Sequence, residues 1–165
     1  MLDTLALQHT LLNGAIVSLV VGIIIMGSLM FNSRLWLQDY PKQIRDKVPP
    51  LSPLEKRQRL IVGVLFMSIL FGMVILEALQ LRANDVSFGT AYLHIFIVLF
   101  MFNLFDALVL DLFILTFLKP KFAIPPGAEG MEYLIYDYRK QFTDFLKGMV
   151  FCAIASLPFA VIAIL

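Results

Sequence analysis

Residues 90–118 read TAYLHIFIVLFMFNLFDALVLDLFILTFL, a long apolar stretch that contains no Lys, Arg or Glu. A helix needs about 20 apolar residues to cross the hydrocarbon core of a bilayer, which is roughly 30 Å thick. Three other stretches are long and apolar enough, at residues 11–31, 60–80 and 145–165. The sequence therefore predicts an all-α integral membrane protein, a four-helix bundle that forms one transmembrane domain over residues 1–165.

The amino-acid composition excludes several other classes of protein. Hydrophobic residues make up 60% of the 165 residues and charged residues only 15%, against about 25% in an average soluble domain. So few charges exclude an intrinsically disordered chain and a nucleic-acid-binding protein, which would present a strongly basic face. The lone cysteine, Cys152, excludes an internal disulfide and a zinc site built from cysteines alone. The lipid bilayer is therefore the expected partner.

The basic residues lie almost entirely on one side of the predicted spans. Of the 13 Lys and Arg residues, 12 fall in or beside the two long connections, residues 32–59 and 119–144, and only Arg82 falls elsewhere. Because cytoplasmic loops collect Lys and Arg, we expect both long loops in the cytoplasm and both termini outside (N-out, C-out). The first ten residues contain Asp3 but no Lys or Arg, so we expect the first span to be a retained helix and not a signal peptide.

Both long loops carry signals for helices at the membrane surface. The stretch Ser52-Pro53-Leu54-Glu55 is a capping box with Pro at the first helical position, which predicts that the second membrane helix begins near Pro53. Apolar residues recur at helical spacing from Met131 to Phe145. This pattern predicts an amphipathic interfacial segment that lies along the inner leaflet or bends into the fourth span, and a partner-docking face is the alternative.

Small residues four apart predict where the spans contact each other, since helices in lipid associate by close packing. These residues are Gly14, Ser18 and Gly22 in the first span, Ser68 and Gly72 in the second, and Gly148, Cys152 and Ser156 in the fourth. We expect them to pack helices within one chain, and contact with a second copy in a homo-oligomer is the alternative.

Three polar side chains within the third span, Asn103, Asp106 and Asp111, form a predicted polar lane. Ionisable residues within a span are costly, and they usually face the protein interior or water. On a regular α-helix Asn103 and Asp106 share a face, whereas Asp106 and Asp111 point about 140° apart, which argues against paired catalytic carboxylates. The lane is either structural, with Asp111 paired to Lys119 or Lys147, or it conducts or senses protons or cations.

A second polar group is expected near the opposite face of the membrane. Glu77 lies near the end of the second span, His94 near the start of the third, and His9 just before the first. The simplest interpretation is a buried hydrogen-bonded pair of Glu77 and His94. Two histidines at one depth on different helices also suit haem, and a set of His and Glu suits zinc or iron, so haem or metal binding is the alternative. Neither histidine is accompanied by a cofactor-binding motif, and no cofactor is predicted.

The second long loop resembles the corresponding loop of a known family. The shared pattern consists of Pro120-Lys121-Phe122, Pro126-Gly127-Ala128-Glu129-Gly130-Met131, Tyr136-Asp137-Tyr138 and Phe145-Leu146-Lys147-Gly148, together with the stretch from Asp106 to Asp111. In these positions the C-terminal third of the chain resembles a family of small, uncharacterised bacterial four-span inner-membrane proteins. The resemblance implies a location in the bacterial cytoplasmic membrane and brings no particular activity with it.

Three classes of function follow from these observations. The first is a non-enzymatic membrane protein that works in an assembly and whose polar lane conducts or senses protons or cations. The second is an accessory or scaffold subunit that docks a membrane-complex partner through the basic inner loops. The third is a membrane-embedded enzyme that acts on lipid at the inner interface, with Asp111 and a nearby Lys or Tyr as its reactive groups.

Overall fold

The computed structural model describes residues 4–165, with side chains from Leu7 onward. All regular structure in this range is helical. The helices are α1 (Thr4–Phe31), α2 (Lys42–Lys47), α3 (Pro53–Ala83), α4 (Phe88–Phe105), which continues directly as a π-helix (Asp106–Leu118), α5 (Glu132–Ile135) and α6 (Tyr138–Ile164). Short 3-10 turns cover Ser33–Asp39 and Lys121–Ala123.

Four helical stretches are long and apolar enough to cross a membrane, at Leu7–Phe31, Pro53–Ala83, Phe88–Leu118 and Glu132–Ile164. The four predicted apolar spans are therefore confirmed as long helices. Many large apolar side chains on these helices are exposed, including Ile23 at 71% and Phe117 at 73%. A soluble protein of this size rarely presents so continuous an apolar surface, whereas lipid covers such a surface without cost.

The starts of the long helices are fixed by local capping. The side chain of Ser52 accepts a hydrogen bond from the Glu55 N–H at 3.2 Å, and the Glu55 carboxylate accepts one from the Ser52 N–H at 2.8 Å. This reciprocal pair confirms the predicted capping box. Ser87 and Asp137 cap α4 and α6 in the simpler way, by accepting a backbone N–H near the start of each helix.

Helix α4 lies at the centre of the packing, with α1 and α6 against it, and α3 contacts all three of these helices. A side chain added at Gly14 would meet Met101, and one added at Gly22 would come within 2.6 Å of a ring carbon of Phe105. Gly14 and Gly22 therefore let α1 approach α4 closely. Ser18, on the same face of α1, is also buried.

The small residues of α6 also lie at a close contact, and those of α3 do not. An atom added at Gly148 would collide with the side-chain amide of Asn103. The next two small residues of α6, Cys152 and Ser156, are buried. In α3, by contrast, Ser68 is exposed and a side chain added at Gly72 would meet nothing within 4 Å. The seam predicted from Ser68 and Gly72 therefore makes no close helix contact within the described chain, because α3 reaches the core through larger side chains such as Leu70 and Val74.

Both long loops lie at the same end of the helices, which we call the long-loop end. There Arg34 binds Glu55 across 2.7 Å, and its guanidinium also donates to the carbonyls of Pro49 and Pro50. At the other end, the short-turn end, Arg82 donates to the carbonyl of Leu165 at 3.0 Å. The segregation of basic residues seen in the sequence is thus a segregation between the two ends of the structure.

The two long loops pack against each other around a second, small hydrophobic core. Its buried members are Leu37, Ile44, Val48, Ala128 and Ile135. The amphipathic segment predicted from residue 131 to residue 145 is therefore not one continuous surface helix. It breaks at Tyr136 and Asp137, so that α5 joins the small core and α6 runs on unbroken to Ile164.

Candidate functional site

The π-helix changes the relation between the two carboxylates of the third span. A π-helix closes its backbone hydrogen bonds between residues five apart, one more than in an α-helix. Asp106 and Asp111 are five apart and both belong to this segment. Their side chains therefore come to the same side of the helix, and both line one cavity. The prediction that they point about 140° apart is wrong, because it assumed regular α-helical geometry.

That cavity lies at the long-loop end and has a volume of about 530 Å³. Its walls come from α1, α3, α4, the π-helix, α5, α6 and the Ser33–Asp39 turn with the two residues that follow it. Gln38, which belongs to this turn, is exposed and marks the side that opens to solvent. The cavity thus reaches from the loops to the two carboxylates within the third span.

The charges that line the cavity are predominantly negative. In the part of the chain that the structure describes, they are the four carboxylates of Asp39, Asp106, Asp111 and Asp144 and one cation, Lys140. Lys140 binds Asp144 across 2.7 Å, and Lys147 binds the other oxygen of Asp144 across 2.9 Å.

The expected partners of Asp111 are therefore engaged elsewhere. Lys147 binds Asp144, and the ammonium group of Lys119 lies 5.6 Å from the centre of the Tyr136 ring. Among the described residues, neither Asp106 nor Asp111 makes a hydrogen bond or an ion pair with another side chain. The two carboxylates are left facing the cavity.

At the mouth of the cavity, Asp39 and Tyr40 are partly withdrawn from water. Burial raises the pKa of the Asp39 carboxyl, and the nearby Gln38 amide and the charges of Lys140 and Arg59 offset this only in part. Burial likewise raises the pKa of Tyr40, whose hydroxyl donates to the carbonyl of Ala123 at 2.7 Å.

Asn103 does not join the two aspartates in the cavity. Its side-chain amide donates to the carbonyl of Phe145 at 3.2 Å and fills the space beside Gly148. Asn103 therefore fastens α4 to α6. A second bond, from the Thr116 hydroxyl to the Gln141 side chain at 2.7 Å, fastens the π-helix to α6. The predicted lane of three polar residues is in the structure a pair of cavity carboxylates and a separate interhelical contact.

At the short-turn end, the described residues include a cluster of three buried polar side chains, Thr10, Glu77 and His94, with the half-buried Asn13 beside them. The Thr10 hydroxyl donates to the Glu77 carboxylate at 2.5 Å, and the Asn13 amide donates to its other oxygen at 2.7 Å. The Nδ1 atom of His94 lies 2.5 Å from the Thr10 oxygen and 3.8 Å from Glu77. Because the Thr10 proton is directed at Glu77, Nδ1 of His94 is the atom that donates to Thr10.

The structure thus brings Glu77 and His94 together with a hydroxyl between them, and it leaves His9 exposed and apart. In the described part of the chain, no three His, Cys, Asp or Glu side chains converge as ligands of a metal ion. Thr10 and Asn13 were not predicted to belong to this cluster. Their signal was a pair of polar residues three apart, and therefore on one face of α1.

A layer of apolar side chains separates the cluster from the cavity. His94 and Asp106 are twelve residues apart along one helix, or about 18 Å at about 1.5 Å per residue. Val17, Val74 and Val98 lie in the core and are 0% exposed. The cavity is therefore a pocket that ends within the protein.

We compared the chain with models of known protein families, with curated proteins and with solved structures, and none of these comparisons gives a match.

Proposed function

We propose that this chain is a multi-pass membrane protein that binds protons or cations at Asp106 and Asp111, in the cavity at its long-loop end, and works in an assembly. The observation that carries the proposal is that two carboxylates line the same cavity and have no side-chain partner among the described residues. Two carboxylates that share a poorly hydrated site repel each other, and a proton or a cation between them relieves this repulsion.

For the arrangement in the membrane, we propose a four-helix bundle with both termini outside. The support is the count of basic residues, 12 of 13 of which belong to the long-loop side. The long-loop end then faces the cytoplasm, and the cavity takes up its cation from there. The sequence resemblance supports the bacterial cytoplasmic membrane as the location.

Infrared spectroscopy of the protein in lipid tests the proposal, because the C=O stretch of a protonated carboxyl is resolved from that of the peptide groups. Acidification and addition of Na⁺ or K⁺ are expected to change this band in the wild-type protein. The change should be lost in Asp106→Asn and in Asp111→Asn. Asp46→Asn, which alters an exposed aspartate outside the cavity at the same end, is the matched control. Identical bands in wild-type protein and both cavity variants under all conditions would refute the proposal.

Flux measurements then separate conduction from sensing. Proteoliposomes that contain a pH indicator and carry an imposed membrane potential report proton movement directly. Flux that disappears in Asp106→Asn identifies a conducting protein. Wild-type vesicles as tight as empty ones identify a protein that binds the cation without passing it.

An enzyme that acts on lipid at the inner interface is the second candidate, since the cavity is open beside Asp111. The reactive partners that this function requires are otherwise engaged. Lys140 is bound to Asp144, and the Tyr40 hydroxyl donates to the carbonyl of Ala123. A general acid or base must be free to exchange a proton with the substrate, so the geometry favours cation binding.

The scaffold hypothesis is supported by exposed basic residues around the small loop core. Lys42, Arg45, Lys47, Lys56 and Arg57 are all exposed. Crosslinking in cells through residues 34–59 or 121–144 tests it. Repeated capture of one other membrane protein is the expected result, and recovery of monomer or self-crosslinks alone would remove the hypothesis.

A further inference from the structure

We propose that the cavity beside Asp106 and Asp111 receives an organic cation with an apolar body, such as a lipophilic ammonium or phosphonium compound. This inference rests on the cation binding proposed above and names its substrate class. It is carried by the size of the cavity, by its apolar and aromatic walls, and by the placement of the carboxylates.

The size of the cavity suits a small organic molecule. A volume of about 530 Å³ lies within the range of about 300–1,000 Å³ that is typical of small-molecule sites. A water molecule in the liquid occupies about 30 Å³. A single inorganic ion would leave most of this cavity to water, whereas an organic molecule can fill it.

The walls away from the carboxylates are apolar. They consist of Ile25, Leu29, Phe66, Phe102, Leu115 and Ile135. These side chains come from five different helical segments, so they surround the space instead of covering one side of it. A ligand with an apolar body covers these walls and removes their apolar surface from water, and this burial stabilises the complex.

Two aromatic rings complete the lining, and their polar atoms are already bonded. The indole N–H of Trp36 donates to the Ser28 hydroxyl at 2.9 Å, and the Tyr40 hydroxyl donates to the carbonyl of Ala123 at 2.7 Å. Both rings are therefore held in place and offer their apolar surfaces to the cavity. A cation at the face of a Trp or Tyr ring is attracted by the ring's electrons, and a quaternary ammonium group is a cation for which such rings are commonly used.

The charges of the lining select the sign of the ligand. The only cationic side chain that lines the described cavity, Lys140, is bound to Asp144. Asp106 and Asp111 remain to attract a positive charge. An anion of the same size and shape would meet the same apolar walls but two repelling carboxylates, and it should be rejected.

Trp36 provides the means to test this inference. It is the only tryptophan in the chain and lines the cavity, so its fluorescence responds to a ligand bound there. Trp36 also lines a second pocket beside Arg59 and Leu60, and the aspartate variants show which of the two pockets the ligand occupies. The probes are tetraphenylphosphonium, the isosteric anion tetraphenylborate, and the small cation tetramethylammonium. They are titrated into the protein in lipid nanodiscs.

We expect a saturable change of fluorescence with tetraphenylphosphonium and only linear partitioning into lipid with tetraphenylborate. Tetramethylammonium should bind at least tenfold more weakly. The double variant Asp106→Asn, Asp111→Asn should weaken tetraphenylphosphonium binding at least tenfold, and Asp46→Asn should leave it unchanged.

A second pair of variants keeps the test independent of the aspartates. Phe66→Ala removes part of the apolar wall and should weaken binding of tetraphenylphosphonium but not of tetramethylammonium. Phe113→Ala removes a 53% exposed ring outside the cavity and should change neither.

The outcomes distinguish this inference from the proposed function. If tetramethylammonium binds as tightly as tetraphenylphosphonium, and both depend on the aspartates, the apolar-bodied ligand is wrong and cation binding stands. If tetraphenylphosphonium does not saturate, or saturates equally in the double aspartate variant, the inference is wrong. The infrared carboxyl bands then decide separately whether Asp106 and Asp111 bind protons or inorganic cations.

Discussion

The buried cluster around Glu77 is expected to be the most sensitive polar site for stability. Glu77 is 2% exposed and His94 is 1% exposed. The Glu77 carboxylate accepts hydrogen bonds from Thr10 and Asn13 of α1, and Thr10 in turn contacts His94 of α4. Replacement of Glu77 therefore affects three helices at once.

The expected cost of Glu77→Ala is about 2.5–4.5 kcal/mol of unfolding free energy, the sum of lost hydrogen bonds and an unfilled volume. Interhelical hydrogen bonds in membrane proteins contribute about 0.6 kcal/mol on average and up to about 1.7 kcal/mol, so two of them account for about 1–3 kcal/mol. An unfilled volume of roughly 60 Å³ adds about 1.4 kcal/mol at about 24 cal/mol per Å³.

Glu77→Gln provides a sharper comparison, because it keeps the volume and removes the charge. The carbonyl oxygen of the new amide can accept from Thr10, and its NH₂ group can donate to Asn13 once the Asn13 amide rotates. We expect Glu77→Gln to cost less than about 1 kcal/mol, within the range of ordinary substitutions that leave hydrogen bonding intact.

Reversible unfolding of the protein in mixed micelles measures these differences. Leu76→Ala, which truncates a 53% exposed neighbour on α3, controls for the loss of side-chain volume outside the cluster. If Glu77→Ala is as stable as Leu76→Ala, the cluster does not hold the helices together. If Glu77→Gln is as unstable as Glu77→Ala, the buried charge and not the hydrogen-bond geometry is what matters.

Three further predictions concern packing, the loop end and pH. Gly22→Leu should separate α1 from α4 and cost about 1–3 kcal/mol, whereas Gly27→Leu, where nothing lies within 4 Å, should be neutral in the same unfolding assay. Arg34→Ala should cost about 1–2 kcal/mol by removing the partly exposed pair with Glu55 and the bonds to loop carbonyls, and limited proteolysis of the first long loop should accelerate. Because burial raises the pKa of Asp39 above its ordinary value of 3.8, its contribution to stability is present at low pH and is lost as the pH rises through the raised pKa. Asp39→Asn should abolish this part of the pH dependence, and an unchanged profile would contradict the assignment.

The four long helices and several of their boundaries could be predicted from the sequence. A membrane span is recognised from local composition, because about 20 consecutive apolar residues are long enough to cross the bilayer core whatever the rest of the fold is. The capping box at Ser52 and Glu55 is equally local, because both partners lie within one turn. The unequal distribution of basic residues between the two ends could likewise be predicted from the sequence, because it is a count of Lys and Arg in each connection.

From the sequence, the carboxylates of the candidate site could be predicted, but their arrangement in space could not. Asp106 and Asp111 stood out because carboxylates are rare within a span. Whether they share a site depends on the hydrogen-bond register of the backbone between Asp106 and Leu118, and that segment is π-helical. Its composition does not distinguish it from an α-helix. The α-helical and π-helical hydrogen-bond patterns pair the same backbone N–H and C=O groups, so side-chain packing decides which pattern forms.

The number of segments that can cross a membrane, and the polar residues within them, follow from the amino-acid sequence alone, because hydrophobicity and charge are properties of single residues. Three features follow instead from how the helices pack: Asp106 and Asp111 line one cavity, Thr10 and Asn13 join Glu77 and His94, and the two long loops share a core. Each of these depends on contacts between residues far apart in the chain. The geometry of these contacts is set by how whole helices pack together, and a local sequence pattern does not reveal that packing.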